Sequence, residues 1–328
     1  MPLEDPMWSG SSVLLTGGQG FVGSWLRDAL VSEGARVTLL IRDYHPKLAL
    51  LNDSRTQKVA NIVRGSLENR SLIERVMLEE EIQYCFHLAA QSLVNVAESS
   101  PRSTLLTNTI GTLNVLEAAR KSESIRGLII ASTDKVYGEP KHLPITEEHP
   151  LEPHHIYESS KACADILSRT FFQSYGLPIG IARCTNTYGG RDLNRSRIIP
   201  SLILSLLRSR SPVVESDGTP VRDYMYVSDA VAAYLAIARN ISHPSVKGQA
   251  LNFGTGKPTT VRDIVSSVLR IFGTKLKPTF LNKPGGIKSQ YVSAKRAQEV
   301  LGWRPLISLE EGLERTIEWY KKQETNLE

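Results

Sequence analysis

The sequence has few of the features that mark metal-binding, disulfide-bonded or membrane proteins. Only three of its 328 residues are cysteines, Cys85, Cys163 and Cys184, and their spacing fits neither a metal site nor a redox motif. We therefore expect buried free thiols in a reducing compartment, and we predict no metal site. No apolar segment approaches membrane-spanning length, and residues 1–12 lack the basic start and apolar core of a signal peptide. A cytoplasmic protein that contacts no membrane is expected.

Charge and repetition argue against two further classes. The 39 basic and 34 acidic residues leave a formal charge of +5, without a long basic run or a basic stripe interleaved with aromatic residues. Nucleic-acid binding is therefore not expected. No internal repeat or low-complexity segment is present either. With 41% hydrophobic and 22% charged residues the composition is that of a soluble globular protein, long enough for one or two domains.

The first 33 residues predict a strand, a glycine-rich turn and a helix. Ser12–Thr16 is an apolar strand, and residues 24–33 have the spacing of an amphipathic helix. Gly17 allows a tight turn, Gly20 the close approach of a ligand to the backbone, and Gly23 close contact between helix and strand. Such a turn leaves free backbone N–H groups at a helix N-terminus, which predicts a site for the pyrophosphate of a dinucleotide.

A second strand, Val37–Ile41, follows at the spacing of a strand–helix–strand unit. A carboxylate at the end of this strand typically binds the adenosine ribose, and Asp43 is the acid found there. Arg42 precedes it and could instead receive the 2′-phosphate of NADP. We expect NAD, and NADP stays open.

Strands and helices alternate along the first 182 residues. Further strands are predicted at 61–65, 84–90, 128–131 and 178–182, and helices at 71–81, 103–121 and 157–175. This order predicts an α/β fold with a doubly wound parallel sheet. Because the alternation loosens after about residue 190, we expect residues 1–182 and about 224–253 to form the dinucleotide-binding domain. Residues 183–223 and 254–328 would form a smaller C-terminal substrate-binding lobe.

Small and polar side chains at the fourth strand suggest contacts with a flat cofactor. The strand ends in Leu88, Ala89 and Ala90, which permit close approach of a ring system. His87 lies inside the apolar run and is interpreted as a core histidine. Asn108, within a predicted helix, is a candidate polar anchor for this neighbouring strand.

The sequence around which the chain is organised follows the strand at 128–131. Thr133, Asp134 and Lys135 stand at its carboxyl end, where ligands bind in open α/β sheets. Tyr157 and Lys161 are four residues apart and share a helix face. We expect the Lys161 ammonium to lower the pKa of the Tyr157 phenol, so that Tyr157 can act as a base near neutral pH.

Two later positions could contact a substrate. Asn186 lies in a glycine-rich, polar segment after the strand at 178–182. Arg222 stands between Val221 and Asp223, and it could either pair with a local acid or clamp a phosphate through its fork of donors. The residues alone leave both interpretations of Arg222 open.

Taken together, the motifs resemble those of one family across nearly the whole chain. They are Thr16-Gly17-x-x-Gly20-x-x-Gly23, His87-Leu-Ala-Ala90, Asn108, Tyr157-x-x-x-Lys161, Arg183-x-x-Asn186-x-Tyr-Gly189, Val221-Arg222-Asp223-Tyr224-x-x-Val227-x-Asp229 and Leu301-Gly302-Trp303-x-Pro305. This set resembles the extended short-chain dehydrogenase/reductases, the NAD-dependent epimerase/dehydratase family, whose fold is Rossmann-like. The run from Ser132 to Gly138 looks like that of nucleotide-sugar 4,6-dehydratases. The spacing of the motifs and the run Gly23-Ser-Trp-Leu26 most resemble the CDP-glucose 4,6-dehydratase group.

The resemblance implies a role for each residue of the predicted catalytic set. Thr133 would hydrogen-bond the sugar O4, Tyr157 would remove the O4 proton, and Lys161 would support Tyr157. Asp134 would be the acid at the C6 hydroxyl, and Lys135 the base at C5. The product would be a 4-keto-6-deoxy sugar, formed by C4 oxidation, water elimination and hydride return to C6, which makes the protein a lyase.

The resemblance also implies binding residues and an assembly. Asn186 and Arg222 match positions that contact the substrate diphosphate. The cofactor would contact Gly17, Gly20, Phe21, Val22, Gly23, Arg42, Asp43, Leu88, Ala89, Ala90, Tyr157 and Lys161. A homodimer is expected through the helices at about 103–121 and 157–175.

Two other functions stay open. A nucleotide-sugar 4-epimerase would share Thr133, Tyr157, Lys161 and the cofactor, but it would not need Asp134 and Lys135. A non-catalytic dinucleotide-binding protein, acting as a redox sensor or scaffold, would not need the catalytic phenol, so the intact Tyr157–Lys161 pair argues against it.

Overall fold

The computed structural model describes residues 7–43, 59, 61–283 and 287–323. The strands are β1 (Ser12–Thr16), β2 (Arg36–Ile41), β3 (Asn61–Arg64), β4 (Tyr84–His87), β5 (Gly127–Thr133), β6 (Ile179–Cys184), β7 (Asn186–Tyr188), β8 (Val213–Val214), β9 (Val221–Arg222), β10 (Tyr224–Tyr226), β11 (Ala250–Phe253), β12 (Thr259–Thr260), β13 (Thr279–Phe280) and β14 (Ser289–Gln290). The helices are α1 (Phe21–Ser32), α2 (Arg70–Glu79), α3 (Val94–Ser99), α4 (Pro101–Leu105), α5 (Gly111–Lys121), α6 (Ile156–Tyr175), α7 (Ile198–Leu207), α8 (Val227–Arg239), α9 (Val261–Phe272), α10 (Lys295–Leu301) and α11 (Leu309–Lys322).

Seven strands form one parallel sheet in the order β11-β6-β5-β4-β1-β2-β3. The chain runs from β1 outward to β3 on one side and returns to β4 on the other, so the direction of winding changes between β1 and β4. A Rossmann-like α/β sheet was predicted, and this prediction is confirmed. In such sheets ligands bind at the switch point, outside the carboxyl ends of the strands.

Helices cover both faces of the sheet because the central strands are apolar on both sides. Leu15, Val37 and Phe86 face one buried cluster with residues of α1 and α8. Leu14 and Cys85 face the opposite cluster, with residues of α2 and α5. This is the continuous hydrophobic pattern expected of strands buried on two faces.

A third core lies beyond the sheet, among α7, α9 and α11. Short strand pairs, β7 with β10, β8 with β13, and β9 with β12 and β14, surround it. Strand β11 pairs with β6 in the large sheet, although β7–β10 and α7 lie between the two strands in the chain. The division into a dinucleotide-binding domain and a substrate-binding lobe stays a prediction.

Three local predictions need correction. The helix predicted at 103–121 is interrupted, since α4 and α5 are joined by a π-helical turn, Leu106–Ile110, that contains Asn108. Strand β5 continues to Thr133, which still pairs with Cys184, and a 3₁₀ turn, Asp134–Tyr137, follows. The first helix begins at Phe21 rather than Ser24, immediately after the glycine turn.

The three cysteines are free thiols, as predicted, but they are not all buried. Cys85 and Cys184 are buried, and burial raises the pKa of both thiols, that of Cys184 to about 12. Cys163 is exposed, so the prediction of a buried thiol is wrong there, because its position on α6 faces away from the sheet. Within the described part of the chain, no helix combines the length and hydropathy needed to cross a membrane.

Candidate active site

A cleft of about 1630 Å³ opens at the carboxyl ends of the sheet strands. Every residue predicted to bind a cofactor lines it: Gly17, Gly20, Phe21, Val22, Gly23, Arg42, Asp43, Leu88, Ala89, Ala90, Tyr157 and Lys161. Thr133, Lys135, Asn186 and Arg222 line the same cleft. Asp134 is the exception, because its side chain is completely buried and contributes no wall to the cleft.

The glycine turn leaves no room for side chains. Gly17 has φ +74°, and a Cβ there would lie 2.7 Å from the backbone nitrogen of Ala89. A Cβ on Gly23 would lie 2.1 Å from the carbonyl oxygen of Gly17. The turn therefore places the first residues of the 12-residue helix α1 directly at the cleft. Their N–H groups have no carbonyl acceptor within the helix, which suits them to a pyrophosphate.

The side chains at the end of β2 form an exposed ion pair. Arg42 Nε lies 2.6 Å from Asp43 Oδ2, and both side chains are more than half exposed. The pair occupies the predicted position of the adenosine ribose contact. Since the guanidinium already has a carboxylate partner, its charge is partly neutralised.

His87 is a core histidine, as predicted. Its two ring nitrogens share hydrogen bonds with the hydroxyls of Thr16, at 2.8 Å, and Thr112, at 3.0 Å. Burial, together with the nearby charge of Lys161, lowers the pKa of His87 to about 3. The ring is therefore neutral at physiological pH, and it does not act as a base in the cleft.

Asn108 anchors the segment that follows β4. Its side-chain oxygen accepts from the Gln91 N–H at 2.7 Å, and its nitrogen donates to the Gln91 carbonyl at 3.0 Å. The same nitrogen donates to the hydroxyl of Ser160 at 2.9 Å. The prediction of a polar anchor is confirmed. Asn108 lies in the π-helical turn, and from there it contacts both the segment after β4 and helix α6.

Lys161 is buried beside the end of β5. Its ammonium donates to the carbonyl oxygen of Ala131, and burial lowers its pKa to about 8 against the opposing charge of Asp165. Lys161 is thus still protonated at neutral pH. Burying a lysine ammonium costs free energy unless a hydrogen bond or an opposite charge compensates for the lost hydration.

Tyr157 does not have the depressed pKa that its spacing from Lys161 predicted. Burial raises the pKa of the phenol to about 12, and the opposing effect comes from the charge of Arg197. The prediction is wrong because desolvation of the phenolate outweighs the attraction of nearby cations. A further positive charge in the cleft is therefore needed before Tyr157 can act as a base near neutral pH.

Thr133, Asp134 and Lys135 form a connected group. The Thr133 hydroxyl, which lines the cleft, donates to Asp134 Oδ1 at 3.1 Å. The Lys135 ammonium lies 3.7 Å from the same oxygen and donates to Asn186 Oδ1 at 2.9 Å. Asp134 Oδ2 is buried without a hydrogen-bond partner. The Asp134 carboxylate therefore contacts Thr133 and Lys135, which line the cleft, and not the cleft itself.

Sequence reasoning missed the residues that follow Gly190. Arg191 and Arg197 line the cleft, and both are held in place, Arg191 by Asp28 at 2.8 Å and Arg197 by Asp192 at 3.0 Å. The dense arginines between residues 191 and 197 were the available signal. Glu215 and Lys283 also line the cleft and form an ion pair at 3.0 Å, and neither belongs to a motif named above.

Residues 14–316 match the family model described as GDP-mannose 4,6 dehydratase. The chain belongs to the extended short-chain dehydrogenase/reductases. It is 30% identical over 322 residues to UDP-glucuronic acid decarboxylase 1 of Xenopus tropicalis, covering 95% of this chain and 72% of that relative.

Solved structures of the family superpose along nearly the whole chain. One is UDP-glucose 4-epimerase of Thermotoga maritima with UDP-glucose, with TM-score 0.85, 30% identity and coverage of 95% of this chain and 99% of that one. Another is dTDP-glucose 4,6-dehydratase of Bacillus anthracis in complex with NAD, with TM-score 0.84, 28% identity and coverage of 97% and 100%. The sequence identity to this chain is thus about the same for dehydratases, epimerases and decarboxylases. The resemblance to the CDP-glucose group stays a prediction.

Proposed function

We propose that the protein is a nucleotide-diphosphate-hexose 4,6-dehydratase that uses NAD. The solved relatives described with NAD support this cofactor, and the glycine turn and helix N-terminus of α1 fit its pyrophosphate. When bound, NAD supplies the hydride acceptor for C4 and the hydride donor for C6. The remaining steps are proton transfers, and they fall to side chains of this chain.

The pair Asp134–Lys135 is the observation that carries the dehydratase proposal. Elimination of water needs a base at C5 and an acid at the C6 hydroxyl. Moving one proton from the Lys135 ammonium to the carboxylate 3.7 Å away gives a neutral amine and a neutral carboxylic acid, which are the forms that the reaction uses. The amine faces the cleft directly. The Thr133 hydroxyl donates to the ionised carboxylate; once Asp134 is protonated it can donate to Thr133 Oγ1 instead, and the hydroxyl passes its own proton to the C6 hydroxyl.

Oxidation at C4 uses Thr133, Tyr157 and Lys161, which also line the cleft. Tyr157 acts in its phenolate form, which Lys161, held by the Ala131 carbonyl, and the positive charge of oxidised NAD would stabilise; it takes the O4 proton and becomes a phenol while Thr133 positions O4. The resulting ketone acidifies the C5 proton, which Lys135 then removes. Because these residues and Lys135 line one cleft, the sugar does not need to move between oxidation and elimination.

The substrate class follows from the cations along the cleft. Arg222, whose Nη1 donates to the Val221 carbonyl at 2.8 Å, lines the cleft together with Arg191 and Arg197. Guanidinium groups suit a diphosphate, and among the described residues five arginines but only three acidic residues, Asp43, Asp192 and Glu215, line the cleft. Relatives described with UDP-glucose or a thymidine nucleotide support a nucleotide sugar as the substrate.

A nucleotide-sugar 4-epimerase is the second candidate, and one observation favours it. The carboxylate of Asp134 has no surface in the cleft, and an epimerase would not require it there. The two functions share C4 oxidation, so only the fate of the C6 hydroxyl separates them.

We also propose that two copies of the chain associate through α6 and the α4–α5 segment. Leu105, Ile110 and Ile166 are apolar residues of these elements and are at least 38% exposed. Exposed apolar side chains on adjacent helices are typical of a protein interface.

Incubation with CDP-, UDP-, dTDP- and GDP-hexoses tests the function. The expected product of one of them is a 4-keto-6-deoxy sugar nucleotide lighter by one water, detected by mass spectrometry. Tyr157→Phe should abolish turnover, whereas the exposed Tyr175→Phe on the same helix should not. A product of unchanged mass and inverted C4 configuration would establish the epimerase instead.

A further inference from the structure

Arg183 is a completely enclosed guanidinium on β6, three residues before Asn186. Its Nε donates to Asp165 Oδ2 at 2.9 Å, and its Nη2 donates to Asp165 Oδ1 at 2.8 Å. Its Nη1 donates to the hydroxyl of Tyr137 at 2.7 Å, and the guanidinium lies 4.9 Å from the centre of the Tyr137 ring. Only 2% of the residue is exposed. None of these three side chains lines the cleft.

The two partners of Arg183 belong to the two segments that carry the predicted chemistry. Asp165 lies one turn beyond Lys161 on α6, the helix that also carries Tyr157. Tyr137 ends the 3₁₀ turn that begins with Asp134 and Lys135. One side chain therefore contacts both segments, from a strand in the interior of the sheet.

We infer that Arg183 is a positioning residue that fixes the Tyr157–Lys161 pair relative to the Asp134–Lys135 pair. The inference rests on the proposed dehydration, because only that reaction uses both pairs on one bound sugar. Oxidation and elimination then require two sets of side chains to fit the same ring without readjustment. A misplacement of about 1 Å is enough to cost on the order of a hundredfold in rate.

The hydrogen bonding of the group supports positioning rather than simple packing. Asp165 also accepts from the Ser132 hydroxyl at 3.1 Å, and the Tyr137 hydroxyl donates to Asn252 Oδ1 at 2.7 Å. Buried ion pairs often contribute little net stability compared with apolar side chains of the same volume. Bidentate hydrogen bonds do set direction, which apolar contacts cannot.

Two variants break the hydrogen bonds of Arg183, one on the side of Tyr137 and the other on the side of Asp165. Tyr137→Phe keeps the ring and its contact with the guanidinium, but it removes the hydrogen bonds of the hydroxyl to Arg183 and Asn252 and so weakens the hold on the Asp134–Lys135 turn. Elimination should slow about tenfold while C4 oxidation continues, so enzyme with reduced nicotinamide should accumulate in the steady state. The double variant Arg183→Met/Asp165→Leu removes both members of the buried ion pair and releases α6 from β6. It also removes the 3.3 Å contact of Asp165 with Arg169, whose side chain is 42% exposed and can be hydrated instead. C4 oxidation should slow, and the fraction of reduced nicotinamide should not exceed that of the wild type.

The measurements are kcat, KM, the absorbance of reduced nicotinamide during turnover, and the Kd of NAD by titration. NAD affinity should be unchanged in both variants, and Tyr84→Phe, a buried tyrosine at the start of β4, should behave like the wild type. A purely structural role predicts equal losses in both variants with no change in the reduced fraction, and this result would overturn the inference.

Failure of the proposed function is recognised separately, in the wild type. A wild type that releases no water contradicts the dehydratase proposal before any variant is compared. In a protein that only oxidises and reduces C4, unchanged oxidation by the double variant would overturn the positioning role of Arg183 as well.

Discussion

The Lys135 ammonium lies 3.7 Å from the Asp134 carboxylate, yet only the lysine reaches the cleft. The lysine side chain is 25% exposed and the aspartate side chain is fully buried. A buried carboxylate with one oxygen lacking a partner is unfavourable unless a proton or a ligand completes it. This relationship is the structural basis of the proposed elimination.

Removing either member of this pair should separate the two halves of the reaction. In Asp134→Asn and Lys135→Ala, loss of water should slow by about a hundredfold or more, because a general acid or base is lost. C4 oxidation and NAD affinity should be retained, as judged by the absorbance of reduced nicotinamide and by titration. Lys295→Ala removes an exposed lysine and serves as the control. Dehydration at the wild-type rate in both variants would contradict the assignment.

The buried His87 should make the fold sensitive to acid. Its pKa is lowered to about 3 in the folded state, from about 6.5 when unfolded, so the unfolded chain binds more protons between these values. Stability is therefore lost as the pH falls from 6.5 towards 3, by up to about 4 kcal/mol from this residue. Urea unfolding at several pH values measures the free energy of unfolding of the wild type and of His87→Gln. The difference between the two should narrow or change sign on acidification, and a constant difference would exclude this role.

The ion pair between Arg42 and Asp43 should set the preference for NAD over NADP. Asp43 neutralises the guanidinium at 2.6 Å and repels a 2′-phosphate. In Asp43→Ala the free Arg42 should raise NADP affinity, roughly fivefold for an exposed charge pair, and NAD affinity should fall. Calorimetric titration of both cofactors tests this. Unchanged affinity for NADP would show that these side chains do not contact the ribose.

The proposed dimer depends on the exposed apolar face of α6. Ile166 is 48% exposed, and Ile166→Glu should convert a dimer into a monomer, because a carboxylate cannot be buried unpaired in an interface. Ile62→Glu, on the edge strand β3 and 41% exposed, is the matched control. Light scattering after size-exclusion chromatography gives the mass. A monomeric wild type, or a dimeric Ile166→Glu variant, would rule out this interface.

The sheet and the glycine turn at the cleft were predictable because their signals are local. Apolar runs such as Val37–Ile41 and the spacing of Gly17, Gly20 and Gly23 are dictated by backbone geometry that neighbouring residues determine. Tyr157 and Lys161 were predicted to share a helix face, and both line the cleft. These features need no knowledge of distant parts of the chain.

Other features depend on contacts between distant segments. The pKa of Tyr157 is set by burial under several elements, which spacing along one helix does not report. Asp134 and Lys135 were both predicted to act on the substrate, as acid and base, but the 3₁₀ turn directs only the lysine into the cleft. The contact of Arg183 with Asp165 and Tyr137 joins residues 18 and 46 positions away, and no motif predicts it.

The most direct test follows the C4 hydrogen of the accepted nucleotide hexose. With deuterium at C4, the proposed reaction carries the label to the C6 methyl group of a 4-keto product that has lost one water, and NMR locates it. Label that remains at C4 of a product of unchanged mass, or no product from any of the four nucleotide hexoses, would contradict the account.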